Sequence, residues 1–197
     1  VGTQDGLNRL APGATQFDWV NTVNTPNVGS DQVMSLTSQN DLLWVGTFDE
    51  GLYRMDTSSG EMLQVALDPD NPFALQAPGV TSLLAHSSGN IVATTFGGGT
   101  AVVDSSGRVA RVIRSALDEY VNDFPITMAE DASGSILVGM AQSLGVINPS
   151  LDDIRAISLN GEPLGVSLGA DTTIIDIEIE PSGSLLLGTN DAGVYRL

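Results

Sequence analysis

The chain has 197 residues, with 24 Asp and Glu against seven Arg, no Lys, one His and no Cys, for a formal net charge of −17. Such a charge repels phosphate backbones and anionic lipid, which argues against nucleic acid or a membrane surface as partner. Without Cys there is no disulfide framework, thiolate metal site or Cys nucleophile, and no apolar run approaches the roughly 18 residues of a membrane-spanning helix. The chain opens at Val1 with no charged-then-apolar leader, which reads as a processed protein or a fragment.

In chain order, five segments repeat one pattern. Val1-Gly2-Thr3 precedes Gly6-Leu7-Asn8-Arg9-Leu10, and Leu43-Trp44-Val45-Gly46-Thr47 precedes Gly51-Leu52-Tyr53-Arg54-Met55-Asp56. Val92-Ala93-Thr94-Thr95 precedes Thr100-Ala101-Val102-Val103-Asp104, and Leu137-Val138-Gly139-Met140 precedes Leu144-Gly145-Val146-Ile147-Asn148. Leu186-Leu187-Gly188-Thr189 precedes Gly193-Val194-Tyr195-Arg196-Leu197. The equivalent positions Gly2, Gly46, Thr94, Gly139 and Gly188 lie 44, 48, 45 and 49 residues apart, a period that suits a four-stranded propeller blade.

Each period opens on a β-rich run: Val33 to Thr37, Val80 to Ala85, Ile126 to Glu130 and Ile174 to Ile179. A turn cluster follows: Gln39-Asn40-Asp41, Ser88-Gly89-Asn90, Ser133-Gly134 or Ser182-Gly183, residues that tolerate the positive φ of tight hairpins. The Gly-Thr strand and the Gly-Leu-Tyr-Arg strand come next. A second turn (Thr57 to Gly60, Ser105 to Gly107, Pro149 to Asp153) leads to a fourth strand such as Met62 to Leu67 or Val109 to Ile113. Ser115 to Val121 holds at most one helical turn, so the chain is predicted all-β.

The small-residue turn, Leu-Trp-Val-Gly-Thr and Gly-Leu-Tyr-Arg-Met-Asp resemble the two-component regulator propeller repeat, found in extracytoplasmic sensor regions of bacterial hybrid histidine kinases and in freestanding proteins. Leu67-Asp68-Pro69-Asp70-Asn71-Pro72-Phe73-Ala74-Leu75 looks like the family's Asp-Pro-rich connector, and Glu130-Asp131-Ala132-Ser133-Gly134 like its first hairpin. The third repeat departs with Ala93-Thr94 for Val-Gly, and the fourth with Met140 for Thr. The resemblance implies one propeller domain over 1–197, with repeats at about 1–24, 25–72, 73–118, 119–166 and 167–197. Its blades are four-stranded and antiparallel, about five in number, with the first and last incomplete. The first repeat lacks its opening strand and the last stops after its third, which gives about eighteen strands. A compact five-bladed ring is expected first, and an open piece of a larger propeller second.

Candidate chemistry is sparse. His86, beside Ser87-Ser88-Gly89, reads as a solvated turn residue, because no nucleophile elbow or metal-binding helix accompanies it. Gly97-Gly98-Gly99 opens no helix and reads as a flexible loop rather than a phosphate cradle. Asp68, Asp70 and Asn71 carry oxygens suited to Ca²⁺, yet Pro69 and Pro72 explain the segment as a rigid connector. Asp176, Glu178 and Glu180 alternate on one strand face and read as a solvated edge, with a carboxylate pair for acid–base work as the rival. Trp44 is expected to wedge between blades. Arg without Lys points first to genome bias. No catalytic residue, metal or cofactor is assigned.

The function expected is therefore a non-enzymatic extracytoplasmic propeller, periplasmic or secreted, that binds a protein partner or a ligand, for instance as an accessory or scaffold subunit of a membrane-associated assembly. The alternatives are a sensor domain for a small molecule or glycan, and a propeller lyase or hydrolase using a carboxylate pair.

Overall fold

The computed structural model describes residues 1–25, 28–114, 125–141, 143–157 and 172–197; Ser115 to Val121, weighed above as a helical turn, lies outside them. The described chain forms five antiparallel sheets, each a meander of consecutive strands. The first holds β1 (Gly2–Thr3), β2 (Gly6–Arg9) and β3 (Asp18–Val20). The second holds β4 (Val33–Gln39), β5 (Leu42–Thr47), β6 (Leu52–Asp56) and β7 (Met62–Gln64). The third holds β8 (Val80–Ala85), β9 (Ile91–Thr95), β10 (Gly99–Val103) and β11 (Val109–Ile113). The fourth holds β12 (Pro125–Glu130), β13 (Ile136–Met140), β14 (Ser143–Ile147) and β15 (Ile154–Ile157). The fifth holds β16 (Ile174–Ile179), β17 (Leu185–Thr189) and β18 (Val194–Arg196). The expected eighteen strands are present among the described residues, with the first sheet short of an opening strand and the fifth short of a fourth. The strand expected over Met62 to Leu67 stops at Gln64; Leu67 instead bridges to Leu75 in the connector.

The core is divided into four apolar clusters, one between each consecutive pair of sheets. Pleating accounts for this: successive side chains of a strand point to opposite faces, so one strand feeds two interfaces. In β5, Trp44 enters the cluster shared with the third sheet, and Val45 enters the cluster shared with the first. A strand buried on both faces needs an unbroken apolar run, and Leu42-Leu43-Trp44-Val45 is one. Trp44 is a buried blade-packing residue, as expected, although its indole N–H finds no acceptor among the described residues.

The small residue of each repeat has a specific steric job. A Cβ added to Gly46 would stand 2.6 Å from Val80 Cγ1, and one on Gly139 2.7 Å from Ile174 Cγ2. One on Gly2 would stand 2.5 Å from Val33 Cγ1. In each case the intruding atom belongs to a β-branched residue that opens the inner strand of the following sheet. Those inner strands also share a bulge at one place, between Val33 and Ser35, Val80 and Ser82, Pro125 and Thr127, and Ile174 and Asp176. The extra residue bends the strand and re-aims its first side chain toward the preceding sheet. The third repeat solves the contact differently: Thr94 replaces glycine, Pro125 replaces the β-branched residue, and Thr81 bridges them. Thr81 Oγ1 lies 2.8 Å from Thr94 Oγ1 and donates to the Pro125 carbonyl at 2.6 Å.

The inner strands touch in sequence order, β1 to β4, β4 to β8, β8 to β12 and β12 to β16. No comparable contact joins β16 to β1 among the described residues, so the sheets form an open arc and the expected compact ring is corrected. At Gly188 an added Cβ would meet only Asp176 of its own sheet, at 3.4 Å or more.

Gly46→Ala should destabilise the fold by about 1–3 kcal/mol through overpacking against Val80, whereas Gly188→Ala should change stability by less than about 0.5 kcal/mol. Urea denaturation of the two variants checks this. Equal costs would refute the steric role.

Candidate functional site

The hairpin turns are held by short side chains that bond their own backbone. Asp104 accepts from the hydroxyl and N–H of Ser106 at 2.5 and 2.9 Å, and Asp131 accepts from Ser133 at 2.6 and 2.8 Å. Asp56 accepts in the same way from Ser58 at 2.6 and 2.8 Å. The serine hydroxyl bond is the leading cause holding all three carboxyls below the usual range; Asp56 and Asp104 each lie at about 2. These are turn-forming carboxylates already engaged, unsuited to act as bases near neutral pH. The turns use positive φ where expected, for example 54° at Asn40 and 83° at Gly134.

His86 takes the aspartate's place in the third sheet. Its Nδ1 lies 2.7 Å from Ser88 Oγ and accepts from the Ser88 N–H at 3.1 Å, as Asp131 accepts from Ser133. With Nδ1 accepting, the proton sits on Nε2, which donates to the Gly134 carbonyl of the fourth sheet at 2.9 Å. Glu130 stands 3.5 Å from Nε2 and accepts from the Ser87 N–H at 3.0 Å. The turn position is as expected, but solvation is corrected: His86 is 3% exposed, because its far nitrogen reaches into the neighbouring sheet.

In the connector, Asp68 Oδ1 accepts from the Asp70 N–H at 3.0 Å and Asn71 Oδ1 from the Phe73 N–H at 2.9 Å. The chain returns to bond Asp68 N–H to the Leu75 carbonyl at 2.9 Å. Ala74 and Leu75 are fully buried, as a rigid connector requires. Among the described residues no group of three or more His, Asp or Glu is placed to hold a metal. The Gly97-Gly98-Gly99 segment closes a tight β9–β10 turn; a Cβ on Gly98 would lie 2.7 Å from Ala77, so the expected free loop is packed. Burial, chiefly, and the carboxylates of Glu50 and Asp49 push the Tyr53 phenol up, against the pull of the Gly29 N–H that it accepts at 3.0 Å. It stays protonated. Phe48 and Phe96, at one repeat position on adjacent sheets, meet edge to face at 6.1 Å, a pairing the sequence reading missed. Their identical place after Thr47 and Thr95 was the available signal.

Two features remain as candidate surfaces. One is the outer face of the fifth sheet, where Asp176 and Glu178 stand exposed in alternation beside Gly188 and Val194, while Glu180 is held by Arg196 at 2.7 Å. Val194 is 70% exposed, whereas Leu52 and Leu144, at the same repeat position, are 0% and 1% exposed. The other is a cleft of about 480 Å³ between the first two sheets, lined by Leu7, Arg9, Leu36, Leu43, Met55 and Thr57 among others.

His86→Ala should cost about 1–3 kcal/mol in urea denaturation, since it leaves the Gly134 carbonyl and the Ser88 N–H unpaired; a cost under about 0.5 kcal/mol would restore the solvated-turn reading. For Asp104, a carboxyl lowered from 3.8 to about 2 in the folded state stabilises above its unfolded value, and loses that contribution as pH falls through about 2. Asp104→Asn keeps a neutral acceptor. Its stability deficit against the parent should therefore be present at pH 7 and shrink between pH 4 and pH 2, read from thermal melts.

No family model and no curated relative matches the sequence. Solved structures do. The extracellular domain of the putative hybrid two component system BT4673 from B. thetaiotaomicron is 20% identical with a TM-score of 0.76, over 99% of this chain and 24% of that one. The corresponding domain of BT3049 from the same organism is 15% identical with a TM-score of 0.77, over 100% and 26%. PorZ of Porphyromonas gingivalis, a surface component of the type-IX secretion system, is 15% identical with a TM-score of 0.72, over 98% and 30%. The chain thus spans about a quarter of the two extracellular domains, which are of the two-component kind that the repeat resemblance points to. At these identities the likeness carries the fold: five consecutive blades of a β-propeller.

Proposed function

We propose that this chain is a non-enzymatic binding module working outside the cytoplasm, and that its acidic surface receives a basic protein partner. The observation that carries the reading is the charge: 24 Asp and Glu stand against seven Arg, for a net charge of −17. Asp176 and Glu178, exposed in alternation on one strand, are part of that surface. A partner rich in Arg or Lys complements it. The comparison structures support an extracellular setting, and PorZ supports work within an assembly.

Catalysis finds little support. The one His is committed to a turn and a cross-sheet bond, and the lowered carboxyls are committed to serines.

The test is capture of partners from the source organism by the tethered chain. Capture should weaken as salt rises toward 1 M, where screening shortens to about 3 Å, and should fall measurably with Asp176→Asn plus Glu178→Gln. A chain that is always alone and monomeric, and turns over a substrate in a way that a carboxylate substitution abolishes, would establish the enzyme instead.

A further inference from the structure

We propose that the connector between the second and third sheets is a docking point for the basic partner, with Phe73 as the anchor for a protein segment whose apolar side chains are flanked by Arg or Lys. This contact rests on the reading of a basic protein partner and locates it on the acidic surface. The connector joins two sheets that are both present, so its setting is that of an internal blade junction.

The segment is built to hold one shape. Pro69 and Pro72 fix φ and carry no N–H, and every other backbone N–H from Asp68 to Leu75 is bonded. Asp68 donates to the Leu75 carbonyl at 2.9 Å and Leu75 to the Ala66 carbonyl at 2.8 Å. Asn71 and Ala74 donate to the Asp68 and Asn71 carbonyls, each at 3.1 Å. Asp70 and Phe73 donate to the side chains of Asp68 and Asn71, at 3.0 and 2.9 Å. Ala74 and Leu75 anchor the segment at 0% exposure, whereas Phe73, next to them in the chain, is 65% exposed. The loop is closed and packed without the ring. A backbone already locked in this way loses little conformational entropy on association, and an aromatic ring supplies a large contact area at the centre of an interface.

A second aromatic and several carboxylates lie at the same end of the sheets. Phe48, 47% exposed, sits on the β5–β6 turn. The Gly51 N–H of that turn donates to the Pro78 carbonyl of the connector at 2.8 Å, and a Cβ on Gly79 would stand 3.0 Å from the Phe48 carbonyl. Turn and connector are therefore in contact. Asp49 adjoins Phe48 in the chain, Asp68 and Asp70 precede Phe73, and all three are exposed. Arg114, held on the Gln76 side chain at 2.6 Å, is the cation bonded to the connector. A purely apolar segment would leave these carboxylates unanswered, and a purely basic one would leave the rings in water. A segment that combines the two covers the rings with apolar side chains and meets the carboxylates with Arg or Lys, and an Arg can also stack on a ring face.

The experiment selects binders for the immobilised whole chain from a random peptide library displayed on phage, at low salt. The enriched peptides are synthesised and their Kd is measured by fluorescence anisotropy against the parent and variants. The expected peptides combine apolar residues with Arg or Lys. They should bind Phe73→Ser about tenfold or more weakly and keep most of their affinity for Phe73→Leu. Asp68→Asn plus Asp70→Asn, which retains an amide oxygen as the turn acceptor at position 68, should weaken binding at low salt and flatten its salt dependence. Phe73→Ser should keep the parent's urea midpoint; a lowered midpoint would place the ring in the packing of the fold and overturn its role as anchor. Basic peptides that bind Phe73→Ser like the parent would overturn the anchor and leave the basic-partner reading standing. Enriched peptides without Arg or Lys, or no enrichment at all, would overturn both.

Discussion

Everything in this fold depends on how closely two sheets approach at their inner strands. A methyl-bearing carbon from Val33, Val80 or Ile174 sits over the bare backbone of Gly2, Gly46 or Gly139, so the approach is limited by the absence of a single carbon atom. The bulge that follows each of those residues directs the side chain into place, and with it sets where the following sheet begins. Once that distance is fixed, the alternating residues farther along the strands meet in the four apolar clusters. Trp44 fits only because its neighbours Ile91, Ala93 and Ala101 approach at that spacing.

The third interface tests this account from within the molecule. It has neither the glycine nor the β-branched residue, and the two changes occur together, at Thr94 and Pro125. The buried threonine hydroxyl is satisfied by Thr81, at the bulge, at 2.8 Å and by the Ser82 carbonyl at 3.3 Å. The same spacing is thus reached by a polar route, at the price of needing three particular residues rather than two.

The architecture was legible in the sequence because the repeat is written in residue types that have few structural alternatives. Gly46, Gly139 and Gly188, the Asn40 and Gly134 turns, and the apolar run through Trp44 each admit one local geometry, and together they gave blade number, strand order and the missing strands at both ends. His86 was misread for a physical reason: its turn is local, but the Gly134 carbonyl that buries it lies 48 residues away, in the next repeat. Closure of the ring was misjudged because strand count says nothing of whether β16 meets β1. The fifth-sheet carboxylates Asp176 and Glu178 were legible as a shared face through their period of two. The cleft was not, since residues as far apart in sequence as Leu7 and Met55 line it together only once the two sheets pack.

The division of the core into four separate clusters bears on how the molecule comes apart. Each sheet owes its burial to adjacent sheets alone, so stability is distributed as in a one-dimensional array, with coupling between nearest neighbours. The second, third and fourth sheets are gripped on two sides, and the first and fifth on one. Amide protons in β9 and β13 therefore exchange with solvent only when two interfaces open, while those of β2 and β17 need one to open. Protection across the chain should then rise to a maximum at the third blade and fall toward the first and fifth.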